Sequence, residues 1–336
     1  MNPRGRVFLI AALVIAGLLA AGLIYQTVAS AADRRNLPPR GELVAMGGYD
    51  LHLHCTGDGS PTVVLIAGAG DIAVIWEPVQ QGLSPETRVC SYDRPGLGWS
   101  DYAPVDEMTI EAQMTILHDL LQNAGETGPY IVVGHSIGGV MARTFAAMYP
   151  AETAGVVLVD SSVESQFAAL PAAISETNRA AGAVFTVCRA LAPFGVVRLL
   201  GLGDARAETF DVFTEDAQAR IAATFHQTRG CAALQRDGAV ADEPLASGDP
   251  PAPLGDVPLV VITGALPEHE VNPQANYSEE QVALFNATQT IWLDLQEGLT
   301  DLSTDSTWII AERSGHYVHA DQPELVTDAV GSLLAE

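Results

Sequence analysis

One stretch constrains this chain more than any other: Tyr130–Ile131–Val132–Val133–Gly134–His135–Ser136–Ile137–Gly138–Gly139. The apolar run reads as a buried strand. A G-x-S-x-G turn follows, and then a helix-like segment, Val140 to Tyr149, that stops at Pro150. Strand, turn and helix in that order are the context such a motif needs. Gly134 and Gly138 leave room for a sharp bend and for close packing of strand on helix. The bend is expected to strain Ser136 and turn its hydroxyl into open space. The helix beneath offers free N–H groups and a positive dipole end to any anion formed there. The stretch therefore predicts a serine nucleophile rather than a serine in an ordinary glycine-rich turn.

The rest of the chain repeats that rhythm. Leu43–Ala45 and Leu51–Cys55 read as a hairpin across the turn signal Gly47–Asp50. Apolar strands are expected at Thr62–Ile66, Thr87–Tyr92, Gly155–Asp160, Val257–Gly264 and Thr307–Ala311, with helices at Trp76–Leu83, Met108–Ala124, Ser278–Leu302 and Pro323–Ala335. Apolar strands alternating with helices predict an α/β fold: a mostly parallel eight-stranded sheet covered on both faces, with an antiparallel edge. Residues 161–256 break the rhythm. They are alanine- and leucine-rich, and read as a helical lid between two parts of the core, 43–160 and 257–336. Functional loops in such sheets gather at the carboxyl ends of the strands. Ala67–Asp71, Gly134–Gly138, Asp160 and His316 all sit there.

The amino end supplies a second constraint. Arg4 and Arg6 precede an uncharged apolar stretch, Val7 to Tyr25, of bilayer-spanning length. Residues 1–32 are expected to be a retained single-pass membrane anchor, with 33–42 as a polar tether. Basic residues ahead of the span favour a cytoplasmic amino terminus and an extracytoplasmic catalytic part. The alternative is a signal peptide cleaved near Ala29–Ser30–Ala31, which makes the protein secreted. The formal net charge is −25, and all sixteen basic residues are arginine. That excess of acid argues against nucleic acid as a partner. The histidines carry no metal-ligand spacing, and no metal or cofactor is expected. Four cysteines in an exported chain suggest disulfides.

On three motifs the chain resembles the α/β-hydrolase superfamily across Leu43 to Glu336. They are the elbow Gly134–Gly139, the turn Asp93–Arg94–Pro95–Gly96–Leu97–Gly98–Trp99–Ser100, and Gly315–His316 followed by Asp321–Gln322–Pro323–Glu324. More closely, it looks like membrane-anchored bacterial serine hydrolases with a helical lid. The resemblance implies that the second and fourth strands are antiparallel neighbours. That implies a Cys55–Cys90 disulfide, and leaves Cys188 to pair with Cys231. It also implies the order nucleophile Ser136, acid, base His316. The acid departs from the common pattern, because Pro267 stands where many relatives carry Asp. Asp160 is the first choice and Glu268 the second. The expected oxyanion donors are the N–H groups of Ala69 and Ile137. Gly68, Gly70 and Asp71 line the expected substrate side of that loop, although Asp71 also reads as a loop cap. His135 is read as a packing or hydrogen-bonding residue, His319 as a hydrogen-bonded core residue, and Asp93 and Arg94 as structural.

Serine at the elbow argues against the dehalogenases and epoxide hydrolases of this fold, which use Asp there. Hydrolysis of a carboxylic ester with a hydrophobic acyl group is the expected reaction, given an apolar lid carrying Phe167, Leu170, Val184, Phe185, Leu191, Phe194, Val196, Val197, Leu199 and Leu200. Two alternatives stand beside it. A serine aminopeptidase would need an acidic lid residue such as Glu164, Asp211 or Glu215 to bind an amine. A non-catalytic ligand-binding relative would need no nucleophile.

Overall fold

The structure is a computed structural model that describes residues 2–105, 108–164, 166–210, 212–247 and 252–335. The chain divides into two compact units. One comprises Pro39–Arg179 and Arg236–Glu336; the other comprises Met1–Pro38 and Ala180–Gln235.

The larger unit is built on eight strands: β1 (Glu42–Ala45), β2 (Asp50–Thr56), β3 (Thr62–Ile66), β4 (Val89–Tyr92), β5 (Tyr130–His135), β6 (Thr153–Val159), β7 (Leu259–Gly264) and β8 (Ser306–Ala311). Their order in the sheet is β1-β2-β4-β3-β5-β6-β7-β8. β2 pairs antiparallel with β1 and β4, and every other pair is parallel. All residues of β3, β5 and β7 are buried. A strand buried on both faces is apolar without alternation, which is why these runs stand out in the sequence. Each expected strand falls on an observed one, with ends that differ by one or two residues.

The helices before the 161–256 stretch are α1 (Pro3–Asn36), α2 (Glu77–Leu83), α3 (Ile110–Asn123) and α4 (Ile137–Met148). The 161–256 stretch holds α5 (Gln166–Ala169), α6 (Ala172–Leu191), α7 (Val196–Leu199), α8 (Leu202–Glu208), α9 (Glu215–His226) and α10 (Gly230–Ser247). After it come α11 (Glu268–Val271), α12 (Glu279–Gly298), α13 (Val318–Asp321) and α14 (Pro323–Leu334). α3 starts at a Thr109 cap and α12 at a capping box of Ser278 and Gln281. α3 buries Ile110, Met114, Leu117 and Leu121, which recur at helical spacing. Together with Val132, Val156 and Val261 of the strands they belong to one contiguous core.

β2 and β4 pair in a register that sets Cys55 opposite Cys90, and the two form a disulfide. Cys188 and Cys231 form the other. Both pairings implied by the family resemblance are present.

In the smaller unit, α1 is a single helix of 34 residues capped by Asn2, whose side chain accepts from Gly5 N at 2.7 Å. It is long and apolar enough to cross a membrane, and its most apolar window is wholly exposed. α1 continues through Asn36, into the stretch 33–42 expected as a tether; Asp33 pairs with Arg198 at 2.5 Å and the Pro38 carbonyl accepts from Arg220.

Candidate active site

Among the described residues two non-glycine residues have positive φ, Ser136 at 54° and Asp160 at 43°. They end adjacent parallel strands, β5 and β6, at the carboxyl edge of the sheet. Such conformations cost roughly 1–3 kcal/mol each and persist only where the surroundings enforce them. Around Ser136 the enforcement is visible. Its N–H donates to the Val159 carbonyl at 3.2 Å, and its carbonyl accepts from Gly139 N and Ser162 N, both at 2.9 Å. A side chain on Gly134 would meet the Gly138 carbonyl at 2.1 Å, and one on Gly138 would meet the Ile66 carbonyl at 2.4 Å. The G-x-S-x-G spacing is therefore a requirement for packing this turn between strand and helix.

The Asp160 N–H donates to the Ile262 carbonyl at 2.7 Å, which fixes its backbone to β7. Its carboxylate is almost fully buried, at 4% exposure. Oδ1 accepts from Gly264 N at 3.0 Å and from the Trp292 indole at 2.9 Å. Oδ2 accepts from His316 Nδ1 at 2.5 Å. Every donor that reaches this carboxylate aligns it on the imidazole. The His316 side chain is 42% exposed. With Nδ1–H given to an acceptor-only carboxylate, Nε2 is the basic nitrogen. Glu268, the second-choice acid, is exposed at the start of α11 and interacts with Tyr277. The carboxylate brought to His316 is that of Asp160.

His135 packs and hydrogen-bonds as expected from sequence. His319 is a core residue as expected, but among the described residues neither of its buried ring nitrogens has the hydrogen-bond partner also expected. His135 donates from Nε2 to the His316 carbonyl at 2.8 Å, with ring centroids 4.6 Å apart. His319 is fully buried against His135 and Trp76, with centroids 4.4 and 4.5 Å away. Burial, aided by the neighbouring His316, pushes its pKa down to about 3. It therefore stays neutral at physiological pH.

The loop after β3 is held from behind by a buried ion pair. Arg94 donates to the carbonyls of Ala67 and Gly68, and pairs with Asp237 through Nε at 2.8 Å and Nη2 at 2.6 Å. Asp237 Oδ2, which accepts from Arg94 Nη2, also accepts from Gly70 N at 2.7 Å. Asp93 does not pair with Arg94. It accepts from Ala73 N, Trp99 N and His52 Nδ1 at 2.7, 2.9 and 2.7 Å. Burial alone would raise the pKa of Asp93, but His52 and these two N–H groups outweigh it and hold the carboxyl below its usual range.

The residues expected to line the substrate side have other engagements as well. Gly70 spends its N–H on Asp237. A Cβ on Gly68 would come within 2.7 Å of His135 Nδ1, so glycine there makes room for that ring. Asp71 is buried, and its N–H closes a turn onto the Gly68 carbonyl at 3.1 Å. Ala69 is exposed, and Ile137 is the first residue of α4. Among the described residues the N–H groups of both lack a hydrogen-bond partner.

Two residues of this site are invisible to sequence reasoning. Trp292 reads as one more apolar residue of a long helix, yet its indole N–H holds Asp160. Asp237 is one carboxylate in an alanine-rich run and has no motif around it. Glu164, a possible amine binder, is committed to the buried Arg143 at 2.7 Å. Glu215 is an exposed first-turn residue of α9, and Asp211 lies outside the described residues.

A mostly parallel sheet of this order, with its polar groups collected at the carboxyl edge, defines a class of hydrolase folds. A family model described as alpha/beta hydrolase fold matches residues 61–192. At identities of 45%, 32% and 39% the chain spans only 15%, 20% and 42% of the curated relatives concerned. The last of these is lipase LipV of Mycobacterium tuberculosis, matched over 115 residues and 34% of this chain. An esterase from Thermogutta terrifontis superposes with a TM-score of 0.58 at 23% identity, over 87% of this chain and 96% of that one. The Cif epoxide hydrolase from Acinetobacter nosocomialis superposes with a TM-score of 0.65 at 18% identity, over 93% and 96%. The chain has the alpha/beta hydrolase fold.

Proposed function

We propose that the protein is a serine esterase acting on carboxylic esters with a hydrophobic acyl group, held at a membrane by α1 with its catalytic part on the extracytoplasmic side. Ser136 Oγ attacks the ester carbonyl and passes its proton to His316 Nε2. Asp160 keeps the imidazole in the required tautomer and stabilises its charged form. The N–H groups of Ala69 and Ile137 receive the oxyanion, and the dipole of α4 adds to them. His316 then protonates the departing alkoxide, which leaves an acyl-Ser136 ester. Water attacks that ester with His316 again as base, releasing the acid and restoring the serine.

The observation that carries this reading is the 2.5 Å bond from His316 to the buried Asp160, beside a strained serine on the next strand. The lipase relative and the esterase neighbour support the substrate class. The commitment of Glu164 to Arg143 weakens the aminopeptidase alternative.

A panel of p-nitrophenyl esters, aminoacyl p-nitroanilides and epoxides, offered to the full chain, tests it. Turnover of esters, abolished by Ser136→Ala, is expected. Faster cleavage of the anilides or epoxides overturns it.

A further inference from the structure

The unit formed by residues 1–38 and 180–235 wears apolar side chains on its outside. Val184, Leu199 and Leu200 are 65%, 69% and 67% exposed. Val184, Val187, Leu191, Val197 and Leu200 line an apolar groove of about 370 Å³. Scattered exposed leucines are ordinary, but a contiguous apolar face marks a surface that something covers.

What covers it follows from where it is attached. A side chain on Gly22 of α1 would lie 2.5 Å from the Phe194 carbonyl, and one on Gly195 would lie 2.7 Å from the Tyr25 ring. Gln26 is buried and donates to the His226 carbonyl at 2.6 Å. The groove is thus fastened to α1 at residues 22–26, the last turn of the apolar stretch Val7–Tyr25. At 1.5 Å per residue that stretch is about 28 Å long, close to the hydrocarbon thickness of a bilayer. Arg34 and Arg35 occupy the last turn of α1, beyond the apolar stretch.

We infer that the face carrying Leu199, Leu200 and the groove beside them is immersed in the boundary of the bilayer that α1 crosses. A spanning α1 sets the contact at residues 22–26 at the edge of the hydrocarbon layer. The exposed leucines next to that contact then meet acyl chains rather than water, as the apolar face of an interfacial helix does. The inference rests on α1 spanning the membrane and is independent of the chemistry at Ser136.

The test uses the full chain in phosphatidylcholine vesicles, with and without brominated acyl chains, which quench tryptophan on contact. Leu199→Trp and Leu200→Trp place a reporter on the face, and Glu215→Trp places one at an exposed acidic position of the same unit. The unsubstituted chain gives the background of the four native tryptophans. Flotation of the vesicles is read in parallel. The expected result is flotation, with most of the added emission lost for Leu199→Trp and Leu200→Trp and retained for Glu215→Trp. Flotation without quenching at either leucine overturns the inference while leaving the anchor intact. Equal quenching at Leu200 and Glu215 overturns it too, because no particular face is then selected. Blue-shifted but unquenched emission means that a second copy or another protein covers the face, and overturns it. Failure to float removes the anchor, and the inference with it.

Discussion

At the carboxyl edge of the sheet, charged groups are buried among apolar strands; in residues 180–235, apolar groups stand in the open. Asp160, Asp93, Arg94 and Asp237 are all buried, and each oxygen or nitrogen that matters has a named donor or acceptor. Leu199 and Leu200 are surface residues with no such constraint. Burying a charge is tolerable only when its partners are fixed, so the sheet edge is a region where single substitutions are severe. An exposed leucine costs the folded chain little, so the helical region can be altered without unfolding and any effect there reports on what it touches.

The largest expected effect lies at the edge itself. Asp160→Asn should lower ester turnover by about 10⁴-fold with little change in the circular dichroism spectrum, since the wrong imidazole tautomer is then held. Glu268→Gln should stay near wild type; the reverse pattern breaks the assignment of the acid. Next comes the Arg94–Asp237 pair. Asp237→Asn leaves a buried guanidinium without its counter-charge and should cost about 3–5 kcal/mol in urea unfolding. A loss far smaller than this would mean that the loop after β3 is held by something else.

The pH dependence of stability sharpens the comparison further. His319 has its folded pKa lowered to about 3 by burial, while the unfolded chain titrates near the ordinary histidine value of about 6.5. Between those values the unfolded state binds the extra proton, so stability is complete above pH 6.5 and falls as the pH drops. The slope is up to about 1.4 kcal/mol per pH unit. His226, also lowered by burial, adds in the same direction. Urea midpoints across pH 4–7 should follow this course, and His319→Phe should remove one proton's share of the slope. The smallest effect is expected at the exposed face. Leu200→Ser should change unfolding free energy by no more than about 0.5 kcal/mol in detergent.

The same contrast decides what could be read from sequence. Strands buried on both faces announce themselves as unbroken apolar runs, and the elbow announces itself by glycines that packing demands. These made the sheet legible, and with it the strand ends that Ser136, Asp160 and His316 follow. Positions defined by distant partners left no local trace. Trp292 meets Asp160 across 132 residues and Asp237 meets Arg94 across 143. The apolar residues of the 161–256 stretch misled in a different way. A leucine pattern on a short helix says that the side chain avoids water, but not whether protein or lipid replaces the water. Leu199 and Leu200, expected as core or pocket lining, are exposed.

Whether Ser136 is the nucleophile is decided by treating the folded full chain with a fluorophosphonate and mapping the adduct by mass spectrometry. One phosphonylated residue is expected, Ser136, with labelling abolished in Ser136→Ala and strongly slowed in His316→Ala. A chain that hydrolyses esters while Ser136 stays unmodified, or that is labelled equally well without His316, would contradict it.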